Sequence, residues 1–383
     1  MPPRFALQGW VVGVGGEALR DATVTVGDHV LSTGDDGVFD FGAVEVAPIE
    51  IARPAYHSVV LEWDGTEQLL KVSLDPIVSK AIRAAAPVVQ DDDRFQDLLD
   101  LAAATAVDAL VFDTKKEGGG VLYDTAVEEA HDIGAASALY DPRQRIAQAH
   151  EAGLYTITRI VSFEDPIRVA ARPEYKLAGA WIDMTNPETW EYPLALGVEA
   201  CELGFDEIQF DYVRFPTGRT SVQSAQSHPT DADERIAIIA AFLTEARDRL
   251  HPMGCAVAAD VFAIVFSAPN DQGIGQRPED LSGIVDVLSP MIYPSHYSDG
   301  WLGYSDPNDY PGEVTAGALD DGVPRVGRGT LVRPWLQAFS WTDAEILESI
   351  AAAERRGLGW MLWHSGGNYD ATALPGITED SSD

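Results

Sequence analysis

The sequence predicts an α/β protein, a (β/α)₈ TIM barrel preceded by a small all-β sandwich domain. Short strand-like runs separated by Gly and Asp turns fill residues 5–75, a pattern typical of a β-sandwich. Apolar strand-like runs then alternate with Ala-rich amphipathic helices over roughly 280 residues, the expected size of a closed (β/α)₈ barrel. No Gly-x-Gly-x-x-Gly turn follows a strand and no Walker loop is present, so dinucleotide-binding and P-loop folds lose support.

The first 78 residues form the predicted sandwich domain, and residues 79–95 the predicted linker. A pattern of the form A-x-V-x-V followed by T-x-x-D-G-x-F-x-F resembles the carboxypeptidase-regulatory-like sandwich modules that precede secreted enzymes. The matching residues are Ala22, Val24, Val26, Thr33, Asp36, Gly37, Phe39 and Phe41. The resemblance leaves two roles open for this domain, a passive spacer and a ligand-binding module.

Residues 96–375 form the predicted barrel domain, and residues 376–383 an acidic tail. The predicted strands are 109–114, 154–163, 177–184, 207–213, 255–264, 285–293, 325–333 and 357–364. Predicted helices include 92–105, 143–152, 191–203, 231–250, 278–284 and 342–356. In such barrels the active site lies at the C-terminal ends of the strands, so the polar residues at those ends are the candidates.

The charge balance excludes several classes of partner. Asp and Glu total 61 against 26 Lys and Arg, which gives a formal net charge of −35. Such a surface repels phosphate backbones and anionic membranes, whereas a neutral sugar is not penalised. We therefore expect a carbohydrate substrate and no nucleic acid. A high-salt environment and a high-GC genome both remain open as the origin of the acidic, Lys-poor composition.

The two cysteines, Cys201 and Cys255, exclude a disulfide framework and a Cys-rich metal site, and we expect two buried free thiols rather than one bridge. The eight histidines are scattered without a metal-binding motif, so neither metal nor cofactor is expected. We expect no membrane-spanning segment and find no signal-peptide core. The N-terminal module favours export to the cell envelope, and a genuine start would favour the cytoplasm. The oligomeric state stays open.

Two strand-end carboxylates are the catalytic candidates. In the strand 207–213, alternation places Gln209 and Asp211 on the inward face. A buried carboxylate needs a partner, and Arg214 is the nearest candidate in sequence, although a purely structural ion pair stays open. Asp260 ends the next strand and is either a second catalytic carboxylate or a helix cap. Neighbouring strand ends give the spacing that glycoside hydrolysis needs.

The remaining candidates would bind substrate. Asp113 and Lys115 share a strand face and form either a hydroxyl clamp or an internal salt bridge; Asp165 and Asp183 are weaker, because Asp is common in turns. Aromatic rings stack on sugar C–H faces, while polar side chains bind the hydroxyls. The aromatic candidates are Trp181, Tyr212, Tyr293, Tyr297, Trp335, Trp360 and Trp363, and Trp181 and Trp360 are equally compatible with the core. The polar candidates are Arg159, Gln276, His296, Arg333 and Gln337.

Seven motifs in a shared order between about 105 and 370 resemble a family of predicted glycoside-hydrolase barrels remotely similar to the α-amylase clan. They are "ALVFDTKKEGG", "YTITRIVSFEDP", "GFDEIQFDYVRFP", "ADVFAI", "VLSPMIYPSHY", "RPWLQAF" and "WMLWHSGGNYD". The resemblance implies action on a polysaccharide, with a nucleophilic Asp ending strand 4 and an acid/base ending strand 5, the places of Asp211 and Asp260. The chain departs from the clan at Gln209, where the clan has Arg, and at Asp260, where it has Glu.

These observations lead to three hypotheses. The first is a retaining glycoside hydrolase in which Asp211 attacks the sugar and Asp260 protonates the leaving oxygen. Asp113 would bind hydroxyls or support charge, while Arg159, Gln209 and Arg214 would orient the carboxylates. The second is a non-catalytic carbohydrate-binding or envelope protein on the same scaffold, with its carboxylates too far apart or locked in ion pairs. The third is a transglycosylase using the same site.

Overall fold

A computed structural model describes most of the chain, namely residues 3–218, 220, 229 and 231–377. The chain divides into two compact units, Met1–Ile77 with Gly254–Ala256 and Val78–Met253 with Val257–Asp383. Of the predicted acidic tail, only residues 376 and 377 lie among the described residues. The predicted domain boundaries stay a prediction.

The N-terminal region is all-β, as the sequence predicts. Its strands are β1 (Arg4–Gly13), β2 (Thr23–Val26), β3 (His29–Ser32), β4 (Val38–Glu45), β5 (Ile49–Ala52), β6 (Val59–Leu61) and β7 (Leu69–Leu74). They form one sheet of order β4-β1-β7 and a second of order β3-β2-β5-β6. Thr33, part of the module pattern, is buried, and its hydroxyl donates to Leu19 O and accepts from Ala22 N.

The second unit is a closed parallel barrel, which confirms the predicted fold class. Its strands are β8 (Lys80–Arg83), β9 (Ala109–Lys115), β10 (Tyr155–Val161), β13 (Glu207–Asp211), β14 (Ala256–Phe262), β15 (Val287–Ile292), β17 (Trp335–Gln337) and β18 (Trp360–Trp363), with the short β16 (Leu331–Val332) beside β15. Pairing of β14 with β15 closes the cylinder. Asp211 therefore ends the fourth of the eight barrel strands, and Asp260 lies in the fifth.

The seventh barrel strand lies later than predicted, since residues 325–333 contain only the short β16 and the strand itself is β17. Two further features of the barrel differ from the prediction. The first barrel strand, β8, lies inside the range that we expected to be a linker, because its four residues are too few to show a periodic pattern. The predicted strand 177–184 is not part of the barrel: Lys176–Ala178 (β11) and Trp181–Ile182 (β12) form a separate two-stranded antiparallel sheet. The two errors offset each other, so the strands carrying Asp211 and Asp260 keep their predicted order.

The helices of the second unit lie close to their predicted positions. They are α1 (Ala86–Val89), α2 (Asp92–Ala103), α3 (Glu128–Asp132), α4 (Pro142–Glu151), α5 (Pro166–Ala171), α6 (Glu191–Leu203), α7 (Ala232–Leu250), α8 (Ile264–Ser267), α9 (Pro278–Leu281), α10 (Pro311–Gly322) and α11 (Asp343–Glu354). Thr342 begins α11 with a capping box in which its hydroxyl and the Glu345 carboxylate each satisfy a backbone N–H. Within the described residues no helix is long and apolar enough to cross a membrane.

Side chains alternate between the barrel interior and the surrounding helices. Phe210 points outward and meets Phe242 of α7, with ring centroids 5.3 Å apart. Its neighbour Gln209 points inward, where its amide nitrogen donates to Ser289 Oγ and lies 3.5 Å from Met361 Sδ. The apolar cluster of the barrel consists of Ala81, Ala109, Val111, Ile157, Tyr293, Trp335 and Met361. This packed interior supports the charged side chains at the strand ends above it.

The expectation of free thiols is wrong, since Cys201 and Cys255 are both disulfide-bonded. Cys201 lies in the last turn of α6 and Cys255 immediately precedes β14. The sequence does not reveal this oxidation state, because two cysteines far apart in the chain form no recognisable spacing motif.

The acidic composition predicts a stability that rises with salt. At a net charge of −35, self-repulsion opposes the compact state, and added salt screens it. We expect the Tm in thermal unfolding to rise by roughly 5 °C or more as NaCl increases from 0.01 to 1 M. Because screening saturates, most of the rise should occur below about 0.5 M. A Tm that is flat across this range, or that changes equally with uncharged sucrose, would contradict the prediction.

Candidate active site

The inward-facing residues at the C-terminal ends of the barrel strands form one charged cluster. It consists of Arg83 from β8, Asp113 from β9, Arg159 from β10, Asp211 from β13 and Asp260 from β14. The side chains of all five are at most 7% exposed. Burial of so many charges is stable only when they pair with one another, so their hydrogen bonds define the chemistry of the site.

Arg159 is the central cation of the cluster. Its Nε and Nη2 donate to Asp211 Oδ2 at 2.8 and 2.5 Å, and its Nη1 donates to Asp113 Oδ1 at 3.1 Å. Nη2 also pairs with Glu117. Burial alone would lower the pKa of Arg159, but the surrounding carboxylates, Asp211 above all, hold it well above its ordinary value. Arg159 is therefore a fixed positive charge that orients three acidic side chains.

Asp211 is held in one orientation by three hydrogen bonds. Its Oδ2 receives two N–H groups of Arg159, and its Oδ1 accepts the backbone N–H of Tyr212 at 2.6 Å. Charge-assisted hydrogen bonds from a guanidinium are short and directional, so they fix the position of the carboxyl group. Tyr212 follows with a positive φ of 51°, a conformation that non-glycine residues rarely adopt. Such strain at a strand end is typical of functional sites.

Asp260 has the opposite environment. Its Oδ1 accepts the indole N–H of Trp335 at 2.9 Å, whereas its Oδ2 forms no hydrogen bond with any described residue. Burial raises the pKa of Asp260 well above its ordinary range, the charge of Asp211 raises it further, and Arg159 only partly opposes them. Asp260 thus keeps its proton to a higher pH than an ordinary aspartic acid.

The spacing of these two carboxyls is bounded by Arg159. Its Nε lies 2.8 Å from Asp211 Oδ2 and 3.8 Å from Asp260 Oδ2. The two oxygens are therefore no further apart than the sum of these distances, about 6.6 Å, close to the lower limit for inverting glycosidases and compatible with the shorter spacing of retaining ones. The carboxyls are close enough to act on one glycosidic bond.

Both carboxyls line a cavity of about 500 Å³ at this end of the barrel. A volume of this size is typical of a small-molecule site. Most of its wall is aromatic or apolar: Tyr212, Phe262, Met291, Tyr293, Tyr297, Trp301, Trp335 and Trp363. Its polar lining includes Glu117, Arg159, Arg214, His296 and Ser298. Flat aromatic walls around a few charged groups suit a sugar ring.

Seven of the predicted substrate-binding residues line this cavity together with Asp211 and Asp260: Arg159, Tyr212, Arg214, Tyr293, His296, Trp335 and Trp363. Tyr297 also lines it. Trp363 contacts two cations of the cluster, with Arg83 4.2 Å and Arg159 4.8 Å from its ring centroid. Burial lowers the pKa of His296, so its imidazole is neutral near pH 7 and can bind hydroxyls.

Four other predicted residues support the cavity from behind. Asp113 is buried between Arg83 and Arg159, and Trp181 packs against Tyr212 and Arg214. The remaining two are buried amides: Gln209 lies in the core, and Gln337 accepts from Ser295 and donates to Phe339 O. Gln276 is a buried amide as well: it accepts from Phe262 N and donates to the backbone oxygens of Val213 and Asp260. Trp360 is fully buried in the core. The Asp183 carboxylate accepts a hydrogen bond from the Thr185 hydroxyl in a turn.

Lys115 does not pair with Asp113 and lies away from the cavity. It is fully buried, 2.9 Å from Asp165 Oδ2, and donates to Val161 O. The strand register shifts here, so that Arg159 pairs with Asp113 and the next residue, Ile160, pairs with Lys115. This bulge breaks the alternation that predicted a shared face.

Arg333 is also misplaced by the prediction. Its guanidinium pairs with Glu207, the first residue of β13, and donates to Ser79 Oγ at 3.1 Å. Both partners lie at the N-terminal ends of strands, opposite the cavity. Arg333 therefore neutralises a buried carboxylate at the other end of the barrel, where residues serve stability rather than catalysis.

Sequence reasoning missed two charged residues of the site. Arg83 pairs with Asp113 at 2.5 Å, and it was missed because β8 itself was not predicted. Glu117 lies just past β9; burial raises its pKa, but Arg159 outweighs burial and lowers it. The only sequence signal for Glu117 was its position in the motif "ALVFDTKKEGG". Strand alternation could not predict where its side chain points, because Glu117 lies beyond the end of the strand. Among the described residues no group of three or more His, Cys, Asp or Glu could hold a metal ion.

Replacing Arg159 by Met should strongly destabilise the protein. The change leaves Asp113, Asp211 and Glu117 without their shared cation in a buried site, and breaking one side of a buried ion pair typically costs about 3–5 kcal/mol. We expect a loss of this size in the free energy of unfolding at pH 7, measured by urea titration.

Arg249 provides a matched control, because it pairs with Glu191 and Glu245 on the surface. Arg249→Met should cost less than about 1 kcal/mol. Equal losses of unfolding free energy in the two variants would show that the buried ion pairs of Arg159 contribute no more to stability than a surface ion pair does.

Comparisons with known proteins agree with the barrel fold. Residues 81–369 match the family described as "Putative glycosyl hydrolase domain". A hypothetical protein from Ruminiclostridium thermocellum is 32% identical over 47% of this chain and 97% of its own, with a TM-score of 0.42. The glycoside hydrolase domain of PgaB (BpsB) from Bordetella bronchiseptica is 13% identical over 76% and 95%, with a TM-score of 0.53. No curated protein matches the chain.

The similarity to the PgaB domain is at the level of the fold. The family match is broader evidence, because it begins in strand β8, ends just after β18 and so includes every barrel strand. It covers well over half of the chain, and it includes Asp211, Asp260 and the charged cluster around them. The chain belongs to the family described as "Putative glycosyl hydrolase domain".

Proposed function

We propose that this protein is a retaining glycoside hydrolase that acts on a polysaccharide or oligosaccharide. The observation that carries the proposal is the contrast between two adjacent carboxyls in one cavity. Asp211 receives two N–H groups from Arg159, whereas Asp260 has a raised pKa and an oxygen without a hydrogen bond. Pairs of titratable groups with opposing environments are the mark of acid and nucleophile assignments.

In the first step, a carboxylate oxygen of Asp211 attacks the anomeric carbon, and the glycosidic C–O bond breaks. Asp260 gives its proton to the departing oxygen and becomes a carboxylate. In the second step, Asp260 accepts a proton from water, and the resulting oxygen attacks the anomeric carbon and releases Asp211. The two steps together restore Asp211 as a carboxylate and Asp260 as an acid, so the reaction consumes only the saccharide and one water molecule.

Arg159 supports this assignment because it supplies the arginine contact to the nucleophile that the sequence of strand β13 lacks. The α-amylase clan, which the chain resembles, has an arginine two residues before the nucleophile, where this chain has Gln209. Here the guanidinium comes from the adjacent strand, β10, and reaches Asp211 with two hydrogen bonds. The lost arginine is thus compatible with a functional nucleophile.

The alternatives of carbohydrate binding without catalysis and of transglycosylation use the same cavity. The binding-only hypothesis predicts carboxyls that are too far apart or locked in ion pairs. Asp211 is paired with Arg159, which agrees with it, whereas Asp260 Oδ2 accepts no hydrogen bond from the described residues and lies 3.8 Å from Arg159 Nε, which favours catalysis. A transglycosylase differs only in the acceptor, which would be a sugar hydroxyl in place of water.

A panel of polysaccharides and activated glycosides, incubated with the full-length protein, tests the proposal. We expect new reducing ends whose masses correspond to hydrolysis products, and none with the double variant Asp211→Asn/Asp260→Asn. Saccharides that bind in the cavity without cleavage would favour the binding-only alternative, and products longer than the substrate would favour transglycosylation.

A further inference from the structure

Arg214 is a buried cation of the cavity that lacks a carboxylate partner. The sequence predicted that it would pair with Asp211, but Arg159 takes that place. Arg214 is 7% exposed and lines the cavity with both catalytic candidates. It forms no ion pair with any carboxylate in the described parts of the chain, although other buried arginines, such as Arg168 and Arg235, have acidic partners.

Aromatic rings hold the Arg214 side chain in place. Its guanidinium carbon lies 4.2 Å from the ring centroid of Phe262, 4.7 Å from that of Trp181 and 5.3 Å from that of Tyr212. Cation–π contacts of this kind are worth up to about 2 kcal/mol when desolvated, but they leave the N–H groups unused. The rings therefore fix the orientation of the guanidinium without neutralising it.

Most of the hydrogen-bonding capacity of Arg214 is left for a ligand. Its Nη1 donates to the backbone oxygen of Phe215 at 3.0 Å. Nε and Nη2 form no hydrogen bond with the described residues, and neither is among the buried atoms sealed from solvent. Burial lowers the pKa of Arg214, but a guanidinium stays charged throughout the working pH range.

This arrangement is costly unless a ligand supplies an anion. Burying a charge without a counter-charge is unfavourable, whereas a neutral sugar hydroxyl could be bound by an amide or a hydroxyl side chain at no such cost. The planar fork of a guanidinium matches a carboxylate with two parallel hydrogen bonds. The charges of Asp211 and Glu164 both act on Arg214, Asp211 more strongly, but among the described residues neither forms an ion pair with it.

We propose that Arg214 binds the carboxylate of a uronic acid unit and makes the enzyme specific for acidic polysaccharides. The inference rests on the proposed function, because it places the sugar in the same cavity as Asp211 and Asp260. Arg214 is then a specificity-determining residue rather than part of the bond-breaking machinery.

The net charge of −35 repels such a substrate at long range, so the proposal also predicts how KM depends on salt. Long-range repulsion between exposed charges is screened by salt, whereas the buried contact with Arg214 is screened much less. The KM for an acidic substrate should therefore fall as NaCl rises from 0.01 to 0.3 M. The KM for the matched neutral substrate should stay constant.

Binding of methyl glycosides tests the proposal without depending on turnover. We compare methyl glucuronide with methyl glucoside, and methyl galacturonide with methyl galactoside, by NMR titration of the full-length protein. Within at least one pair the acid should bind at least tenfold more tightly. Arg214→Gln should weaken that acid by roughly 10²-fold and the neutral sugar by less than about threefold. Arg214→Lys should be intermediate, because it keeps the charge and loses the fork.

The surface variant Arg277→Gln serves as the matched control and should change neither affinity. Equal binding of acid and neutral sugar in both pairs would overturn the inference, as would an equal loss of both in Arg214→Gln. Failure of the proposed function has a different signature: the acid preference would persist in binding, while Asp211→Asn would leave turnover unchanged.

Discussion

Replacing Asp211 by Asn is expected to lower kcat for glycoside hydrolysis by on the order of 10⁴-fold, the scale seen when a nucleophile is removed. The amide is nearly isosteric with the carboxylate but cannot form the covalent bond to the anomeric carbon. Its nitrogen would also face the N–H groups of Arg159, which now donate to Asp211 Oδ2. Stopped assays with a dinitrophenyl glycoside measure the loss, with circular dichroism to verify folding.

Azide gives this prediction a sharper form. In Asp211→Gly, an external azide ion can occupy the space of the missing carboxylate and attack the same carbon. The product should be a glycosyl azide of configuration opposite to that of the substrate. Asp183→Asn is a suitable control, because among the described residues the Asp183 side chain accepts hydrogen bonds from Thr185 alone, in a turn. Activity in Asp211→Asn within tenfold of the parent would remove Asp211 from the mechanism.

Replacing Asp260 by Asn should show a loss that depends on the leaving group. General acid catalysis typically contributes about 10²–10⁴-fold, and a good leaving group needs little of it. We expect kcat/KM to fall by roughly 10³-fold for an alkyl glycoside or natural oligosaccharide and by less than about tenfold for a dinitrophenyl glycoside. Equal losses on both substrates would indicate a structural role for Asp260.

The pH dependence follows from the same residue. Burial and the charge of Asp211 raise the pKa of Asp260, so its proton is present below the raised pKa and is lost as the pH increases through it. The high-pH limb of kcat/KM should therefore lie above the ordinary range of an aspartic acid and disappear in Asp260→Asn. Trp335→Phe removes the hydrogen bond to Asp260 Oδ1, which favours the ionised form, and should move this limb to higher pH.

The positions of the two candidate carboxyls, Asp211 and Asp260, were predictable because they depend on the simplest periodicity. A strand alternates its side chains, so Asp211 in "EIQFDYV" had to share the inward face with Gln209, and Asp260 ended an apolar strand. The adjacent positions of these strands in a barrel then brought the carboxyls together. The positions of aromatic residues on or just after the predicted strands supplied the remaining expectation, that their rings would line the cavity.

The pairing of the charges was not predictable, because it depends on geometry that alternation does not encode. A bulge turns Lys115 towards Asp165, and the partner of Asp211 is Arg159 on another strand rather than the nearby Arg214. Short strands were also difficult, since β8 has only four residues. Only the fold shows that Arg159 pairs with three acidic side chains, and that Arg214 has no acidic partner among the described residues.

Trapping the covalent intermediate tests the central claim most directly. A 2-deoxy-2-fluoro glycoside of the sugar identified in the substrate screen, carrying a dinitrophenyl leaving group, should inactivate the full-length enzyme by slowing the second step. Peptide mass spectrometry should then place a single glycosyl group on Asp211. A label on Asp260 or Glu117, or turnover without any label and with inversion at the anomeric carbon, would contradict the assignment of Asp211 as the nucleophile.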